Sequence, residues 1–137
     1  MKVRILTPLK IEQYIDESGD FSSLPIDALK ALDGRRYEDE QFTDYLEEPY
    51  SEMSIEGGRL ALQFDEQSGS VVAYADFAFP GELSESELDG FKMDINGQMT
   101  DGMGSNFFQE LGDELDADVE VAGLYDSDKK SIYVILS

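Results

Sequence analysis

"RLALQFDEQSGSVVAYADFAF", residues 59–79, contains two runs of alternating apolar residues that are separated by a short turn. In the first run Leu60, Leu62 and Phe64 lie two residues apart, and the second run, 70–79, follows the EQSG turn. Alternation with a period of two is typical of a β-strand that buries one face, and a short connection containing glycine joins antiparallel neighbours. The stretch therefore predicts an antiparallel β-hairpin in the middle of the chain.

Strand patterns also occur at both ends of the chain. The residues that alternate near the N-terminus are Val3, Ile5, Thr7 and Leu9. Pro8 lacks a backbone N–H, which predicts that this first strand lies at an edge of the sheet. Near the C-terminus, residues 119–125 and 132–136 flank a DSDKK turn and predict a second hairpin.

Four segments have the apolar spacing of amphipathic helices. One helix is expected over residues 23–32, capped by its first serine, and another over 37–48, where Pro49 stops it. The SESE sequence at 84–87 is a capping box and predicts the start of a third helix. The inward residues of this helix, and of a shorter fourth helix after a glycine-rich break at 100–104, are Leu88, Phe91, Ile95, Met99, Phe107, Phe108, Leu111 and Leu115.

The strand and helix patterns together predict a single α+β domain that spans residues 1–137. We expect a mostly antiparallel sheet of about four to five strands, built from two hairpins, with three to four amphipathic helices. The sequence shows no internal repeat and no linker that divides the chain.

The charge balance is the most unusual property of the composition. Thirty-one Asp and Glu residues against ten Lys and Arg residues give a formal net charge of −21. A small domain needs a net charge of only about 2–8 in magnitude for solubility, so solubility does not account for the excess. Hydrophobic residues make up 41% of the chain, which predicts a folded protein rather than an acidic disordered one.

Cysteine and histidine are both absent, which excludes disulfides, thiolate chemistry and nucleophiles activated by histidine. Because so many carboxylates form accidental pairs, they do not indicate a glycosidase, and we expect no enzymatic activity and no cofactor. The chain has neither the apolar core of a signal peptide nor an apolar run of about 18 residues. We therefore expect a cytoplasmic protein that binds neither membranes nor nucleic acids directly.

Much of the excess charge lies in two clusters, and we predict that both contact a protein partner. Six of the eleven residues in the range 110–120 are carboxylates. The predicted partner-binding residues are Glu110, Asp113, Glu114, Asp116, Asp118 and Glu120 in one cluster and Glu38, Asp39, Glu40, Asp44, Glu47 and Glu48 in the other. A looser third cluster comprises Glu82, Glu85, Glu87, Asp89 and Asp94.

Rows of carboxylates on a rigid surface imitate the charge of a nucleic-acid backbone. Residues four apart on a helix lie about 5–6 Å from each other, and B-DNA carries one negative charge per about 1.7 Å of axis. The clusters therefore predict a mimic that blocks the site of a basic nucleic-acid-binding protein, such as a defence nuclease. Tyr37, Tyr45 and Tyr50 are expected to be exposed and to anchor the partner within the acidic field.

The acidity is also compatible with two alternative functions. An immunity-type inhibitor of a basic toxin needs a similar charge, and a housekeeping domain of a halophilic organism is also acidic and poor in lysine. A dedicated calcium site is not expected, because the best candidates, residues 16–20 and 126–128, lack the ligand spacing of an EF-hand loop.

Residues 96–109, NGQMTDGMGSNFFQ, resemble a segment with the order G-Q-x-[ST]-D-G-x-G-x-x-F that occurs in small uncharacterised bacterial and phage proteins. In composition the chain is similar to phage-encoded inhibitors of restriction and CRISPR enzymes, which are small, acidic and poor in cysteine. The resemblance implies a mobile-element origin and an anti-restriction or anti-CRISPR function as a DNA mimic. It implies no active site.

Overall fold

In the computed structural model, which describes residues 1–14, 21–23, 26–67, 69–121 and 133–136, most of the strands precede the two long helices in the chain. The strands in these ranges are β1 Lys2–Tyr14, β2 Phe21–Ser23, β3 Glu56–Gly57, β4 Ala61–Asp65, β5 Ser70–Ala78, β6 Ala117–Val121 and β7 Tyr133–Ile135. The helices are α1 Ile26–Lys30, α2 Glu85–Asp101 and α3 Met103–Leu115, with 3-10 helices at Phe42–Tyr45 and Tyr50–Glu52. The predicted α+β architecture with an antiparallel sheet is confirmed, and the sequence patterns missed only the very short β2 and β3 among the described strands.

The predicted hairpin in the middle of the chain is present and supplies one wall of the core. β4 and β5 pair antiparallel, with Ala61 opposite Tyr74 at one end of the ladder and Asp65 opposite Ser70 at the other. The inward residues of β5 are Val71, Ala73, Ala75 and Phe77, each at most 2% exposed. The residues between them are half-buried, so the alternation in the sequence separates the core face of the sheet from its more open face.

β1 is a central strand, and the prediction that Pro8 places it at the sheet edge is wrong. It pairs with β5 over residues 2–8, with β7 over 3–5 and with β6 over 9–13. Residues 6–8 therefore have described strand partners on β5 alone. A proline is tolerated inside a sheet where the ladder on one side is interrupted, because no backbone donor is required there.

Both C-terminal strands pair with β1. Val121 of β6 lies opposite Leu9, and Ile135 of β7 lies opposite Val3, each in antiparallel register. Two strands that are antiparallel to the same strand run in the same direction, so the described lengths of β6 and β7 do not pair with each other as a hairpin. The DSDKK turn predicted between them lies outside the described residues.

The capping box at the start of α2 forms as predicted. Ser84 Oγ accepts a hydrogen bond from the Glu87 N–H at 3.1 Å, and the Glu87 carboxylate accepts one from the Ser84 N–H at 3.0 Å. These bonds hold the pKa of Glu87 below its usual value. α2 and α3 meet at Gly102, as the glycine-rich break predicts. Their close packing requires Gly104, because a Cβ there would lie 2.6 Å from the Met99 Cα and carbonyl oxygen.

The first predicted helix is reduced to the five residues of α1. Its expected cap, Ser23, belongs to β2 and lies opposite Glu12 of β1. After Lys30 the backbone continues through turns, and Leu32 packs into the core at 2% exposure. A helix this short is not stable alone, so its place depends on packing rather than on propensity.

Residues 37–48 do not form the predicted amphipathic helix. The Tyr37 N–H donates to the Leu60 carbonyl at 2.8 Å, and the Phe42 N–H donates to the Gly58 carbonyl at 2.8 Å. These backbone N–H groups donate to carbonyls beside the sheet instead of to carbonyls within a helix. Only a short 3-10 helix forms after residue 41. Bonds between distant parts of the chain thus override the local helical pattern.

The core lies between the sheet and the pair α2 and α3, and its centre is aromatic. The Phe91 ring of α2 lies 4.8 Å from Phe77, 5.0 Å from Phe79 and 5.4 Å from Tyr50, measured between centroids. All three contacts are edge-to-face, the arrangement that aromatic charge distributions favour. The predicted inward residues are buried, with Leu115 packed at the margin of the core. This packing fixes which faces of α2 and α3 are presented to solvent.

Candidate protein-binding surface

The twelve predicted partner-binding carboxylates all lie at the protein surface. Eleven of their side chains are exposed, and that of Glu40 is half-buried. In one cluster, Glu110, Asp113 and Glu114 lie on α3, Asp116 follows the helix, and Asp118 and Glu120 lie on β6. The six members of the other cluster, Glu38, Asp39, Glu40, Asp44, Glu47 and Glu48, lie in the segment that replaces the predicted helix.

The first of these clusters is concentrated at the C-terminal end of α3. Asp113 and Glu114 lie in the last turn, Asp116 is the C-cap, and the last turn contains no basic residue. The C-terminal end of a helix carries partial negative charge, so carboxylates are disfavoured there. Glu110 and Glu114 also repel each other, because residues four apart share a helix face. The carboxylates at this end of α3 therefore lower the stability of the free protein, because they lie beside the negative end of the helix dipole.

A tight turn connects this end of α3 to β6. Asp116 adopts the left-handed conformation, with φ 52° and ψ 49°, and its N–H donates to the Gly112 carbonyl. Aspartate tolerates this conformation better than most residues. Gly112 lets the helix approach the strand, since a Cβ at this position would lie 2.7 Å from the Ala117 carbonyl oxygen. The carboxylates of the helix and of the strand are thus held on two closely packed elements.

Side-chain bonds hold two carboxylates of the 38–48 cluster. Glu38 accepts a hydrogen bond from Arg59 Nη1 at 2.9 Å, and Glu40 accepts one from the Tyr45 hydroxyl at 2.5 Å. The bond to Glu40 is the main cause that raises the pKa of Tyr45 above its usual value. Together with the backbone bonds to the sheet region, these contacts fix the segment although it is not a regular helix.

The two carboxylate clusters meet at Tyr37. Its buried ring lies 5.3 Å from the ring of Phe107 on α3, measured between centroids. Burial raises the pKa of Tyr37, and the carboxylates of Glu40, Asp39 and Glu110 raise it further. Carboxylates from both clusters therefore raise the pKa of the same phenol, that of Tyr37. We use the term acidic face for the twelve carboxylates of the two clusters, of which Asp39, Glu40 and Glu110 act on Tyr37.

An ion pair also joins the two parts of the acidic face. Arg35, which Arg36 and Tyr37 separate from the 38–48 cluster, donates to both carboxylate oxygens of Glu114, and the Nη1–Oε1 distance is 3.0 Å. The hydrogen bonds from Arg35 hold the pKa of Glu114 below its usual value. The two residues are 79 positions apart in the chain, so no local sequence pattern reveals the contact. The bidentate geometry suits a planar guanidinium group.

The α2 carboxylates continue the negative surface beyond residue 48. The Glu47 N–H donates to the Asp94 carboxylate at 3.3 Å, and the Tyr50 hydroxyl donates to the Glu87 carbonyl at 2.8 Å. Burial raises the pKa of Tyr50, with smaller contributions from Glu87 and Asp94 in the same direction. The looser third cluster is thus a neighbour of the acidic face, a relation that the sequence does not show.

The prediction that Tyr37 and Tyr50 are exposed anchors is wrong. Their exposed fractions are 8% and 9%, and their rings pack against the phenylalanines of α3 and α2. The segment that contains them forms no α-helix and packs on the core through these rings. Tyr45 is 49% exposed and Met93 on α2 is 60% exposed, so these side chains are available to a partner.

A groove of about 710 Å³ lies between α3 and β6. Phe108 and Val119 contribute apolar surface to its lining. Asp113 lines it on the helix side, and Asp118 and Glu120 line it on the strand side. The sequence predicts these carboxylates as partner-binding residues, but it does not predict the groove. The groove is formed by the tertiary packing of a helix against a strand, which local sequence patterns do not reveal.

Comparisons with protein families, curated proteins and solved structures find no match for this chain. Among the described residues, no helix is both long enough and apolar enough to cross a membrane. In the same part of the chain, no group of three or more acidic side chains is placed to hold a metal ion. The calcium candidates at 16–20 and 126–128 lie outside the described residues.

Proposed function

We propose that this protein is a nucleic-acid mimic that presents carboxylates in place of phosphates and blocks the nucleic-acid-binding site of a basic partner protein. The observation that carries the proposal is the contact between the segments that bear the two clusters, through the Tyr37 and Phe107 rings and the Arg35–Glu114 ion pair. Separate clusters on opposite sides would be ordinary solvated surface. Clusters joined into one acidic face resemble the continuous negative charge of a nucleic-acid backbone.

The acidic face has the rigidity that such mimicry requires. Arg35 joins the segment before residue 38 to Glu114, and backbone bonds attach Tyr37 and Phe42 to the sheet region. A partner that binds a prearranged set of charges loses less free energy in ordering them. Lysine and arginine side chains that normally hold phosphates would therefore find carboxylates already in position.

The energetics of the free protein agree with a charged partner. Carboxylates at the C-terminal end of α3 lie where the helix itself carries partial negative charge. A basic partner relieves this unfavourable arrangement, because its cations interact with the carboxylates and with the helix end. The partner that this surface fits is a basic nucleic-acid-binding protein, of which a defence nuclease is one class.

Elution from DNA-cellulose tests the proposal directly. DNA-binding proteins of a cell lysate are loaded on the resin and eluted with the purified protein at about 0.15 M salt. We expect the protein to release a specific subset, and the release to weaken as salt increases. A variant with E110Q, D113N, E114Q and D116N should release much less.

The matched control carries D27N, E52Q, E56Q and E66Q, which neutralise four exposed carboxylates outside all three acidic clusters. Both variants have the same net charge, so only the position of the lost charge differs. We expect the control to elute like the unmodified protein. Equal loss with both variants would show a general charge effect, and no release at all would reject mimicry and leave the immunity-type or halophilic interpretation.

A further inference from the structure

Three of the four arginines in the sequence lie on the open face of the sheet, the face that does not pack against α2 and α3. Arg4 lies opposite Asp76 in the register of β1 with β5. Arg36 forms an isolated bridge with Ala61, which pairs with β5 on the same face. Arg59 shares these surroundings, because it lines one recess together with Arg36 and Ala61. The fold thus gathers arginines that are far apart in the sequence.

The recess has a volume of about 200 Å³ and is lined by Arg36, Arg59, Ala61, Tyr74 and Asp76 and by two glycines. We call it the arginine recess. Arg4 borders it, because its Nε and Nη2 atoms donate to the Asp76 carboxylate at 2.7 and 3.1 Å. The guanidinium carbon of Arg4 lies 4.3 Å from the centroid of the Tyr74 ring. Three guanidinium groups therefore lie in or beside this recess.

The positive charges around the arginine recess exceed the negative charges by one. Arg4 is paired with Asp76, and Arg59 Nη1 donates to the Glu38 carboxylate at 2.9 Å. Arg36 is exposed and forms no ion pair within the described part of the chain, whereas each of the other arginines has a carboxylate partner there. In a chain with thirty-one carboxylates and ten cations, an unpaired arginine beside a recess points to an external anion.

The recess is held in place by contacts of the backbone. Gly57 and Gly58 have φ values of 99° and 92°, which favour glycine. The Gly58 N–H donates to the Asp76 carbonyl at 2.8 Å, and a Cβ at Gly57 would lie 2.3 Å from the same oxygen. The Arg59 guanidinium is fixed as well, because it also donates to the Glu38 carbonyl at 2.8 Å. The recess is therefore formed before a ligand binds.

The chemistry of the arginine recess fits a carboxylate with a small apolar body. A carboxylate carries one negative charge, which the guanidinium of Arg36 compensates, and its two oxygens match the planar donors of arginine. Ala61 and the Tyr74 ring supply apolar surface beside the charge. A phosphate group carries about 1.5–2 negative charges at neutral pH, which a single unpaired cation does not balance.

The size of the recess also favours a small ligand. Its volume of about 200 Å³ is below the roughly 300–1,000 Å³ of typical ligand pockets. Glu56, the next carboxylate along the open face, lines a neighbouring recess together with Lys2 and not the arginine recess itself. The arginine recess therefore has room for one anionic group with a small body.

We propose that the arginine recess binds the carboxylate of a small organic acid, with Arg36 as its main cation and Ala61 and Tyr74 against its apolar part. The same chemistry occurs in a free acid and in the C-terminus of a peptide, and the experiment distinguishes these two sources. The proposal does not depend on nucleic-acid mimicry, because it is based on the placement of the arginines and not on the carboxylate clusters.

Benzoate is the first probe, and benzamide, which has a similar shape without the charge, is its matched control. Binding is followed by amide chemical shifts of the labelled protein at about 0.15 M salt. We expect shifts near Arg36, Ala61 and Tyr74, and a dissociation constant for benzoate of the order of 1 mM. Benzamide should bind at least about tenfold more weakly.

N-acetylphenylalanine, which carries the carboxylate of a peptide C-terminus, identifies the source of the ligand. If it binds more tightly than benzoate, the site is assigned to peptide C-termini, and if it binds more weakly, the site is assigned to a free acid. Either order supports a carboxylate site, provided that the shifts occur at the arginine recess.

Two variants separate the guanidinium of Arg36 from net charge. R36Q removes this guanidinium, and K30Q removes one positive charge at an exposed position on α1 that does not line the recess. We expect R36Q to bind benzoate at least about tenfold more weakly and K30Q to bind it normally. R36K keeps the charge without the planar donor group, so its affinity should lie between those of R36Q and the unmodified protein.

Several results would overturn the proposal. Equal losses in R36Q and K30Q would show a general charge effect, and equal binding of benzoate and benzamide would show that the charge is not recognised. Tighter binding of inorganic phosphate than of benzoate would reject a carboxylate as the ligand, and no shifts with either acid would reject the site. Amide spectra of the variants show whether the fold is intact. Release of proteins from DNA-cellulose without benzoate binding would reject the recess alone, and benzoate binding without release would reject mimicry alone.

Discussion

Replacing Asp113 and Asp116 with asparagine should stabilise the free protein. Both residues lie at the C-terminal end of α3, where a negative side chain is unfavourable by about 0.3–1 kcal/mol at low ionic strength. The pair should therefore raise the free energy of unfolding by about 0.6–2 kcal/mol. Asparagine also adopts the left-handed conformation of residue 116, so the turn into β6 is preserved.

Urea unfolding followed by circular dichroism measures this gain. At about 10 mM salt the Debye length is about 30 Å, and at about 1 M it is about 3 Å, so the gain should largely disappear at high salt. E56Q with E66Q removes two exposed charges away from helix ends and reports the effect of net charge alone. E85Q with E87Q removes two charges at the start of α2 and should destabilise.

The three pairs have the same net charge, so their order of stability is diagnostic. If D113N with D116N is no more stable than E56Q with E66Q at low salt, the helix end does not oppose the carboxylates. The energetic support for a charged partner would then be lost. A loss of stability in the variant would show that the two aspartates make favourable contacts within the fold.

Three further outcomes are expected. Moderate salt should raise the free energy of unfolding, and the protein should already be folded at about 0.15 M salt. Circular dichroism at increasing salt concentration checks this, and a protein that folds only in molar salt would favour the halophilic interpretation. Because the pKa values of Tyr37 and Tyr50 are raised, their stabilisation is complete below the usual tyrosine pKa and is lost as pH rises through the higher folded values. Ultraviolet titration of Y37F against the unmodified protein should show one fewer late-ionising phenol, and an unchanged curve would contradict the assignment. S84A should lower the free energy of unfolding by about 0.5–2 kcal/mol in urea, because α2 loses its N-cap, and an unchanged midpoint would show that the cap is dispensable.

Elements with strong local signals are predictable from the sequence. The hairpin of β4 and β5 follows from period-two alternation, and the start of α2 follows from a capping box that acts within four residues. Pro8 shows why the edge prediction fails. This proline indicates that the hydrogen-bond ladder is interrupted on one side of β1. The strands on either side of the interruption, β6 and β7, lie far away in the sequence, so the local pattern does not predict them.

The candidate site is predictable in its residues but not in its arrangement. The carboxylate clusters can be read directly from the sequence, and all of their members lie at the surface. Their meeting at Tyr37 depends on the packing of that ring against Phe107, and the link between Arg35 and Glu114 spans most of the chain. Such contacts depend on tertiary packing, which local periodicity does not encode.

The pairing of β1 has a consequence for the chain during its synthesis. β1 is made well before Ile135, which pairs with Val3 from a position far downstream in the chain. Translation proceeds from the N-terminus at about 5–20 residues per second, so β1 lacks β6 and β7 while the residues between them are made. A central strand with an open side can pair with the same strand of a neighbouring unfinished chain. The large negative charge opposes such pairing by keeping nascent chains apart.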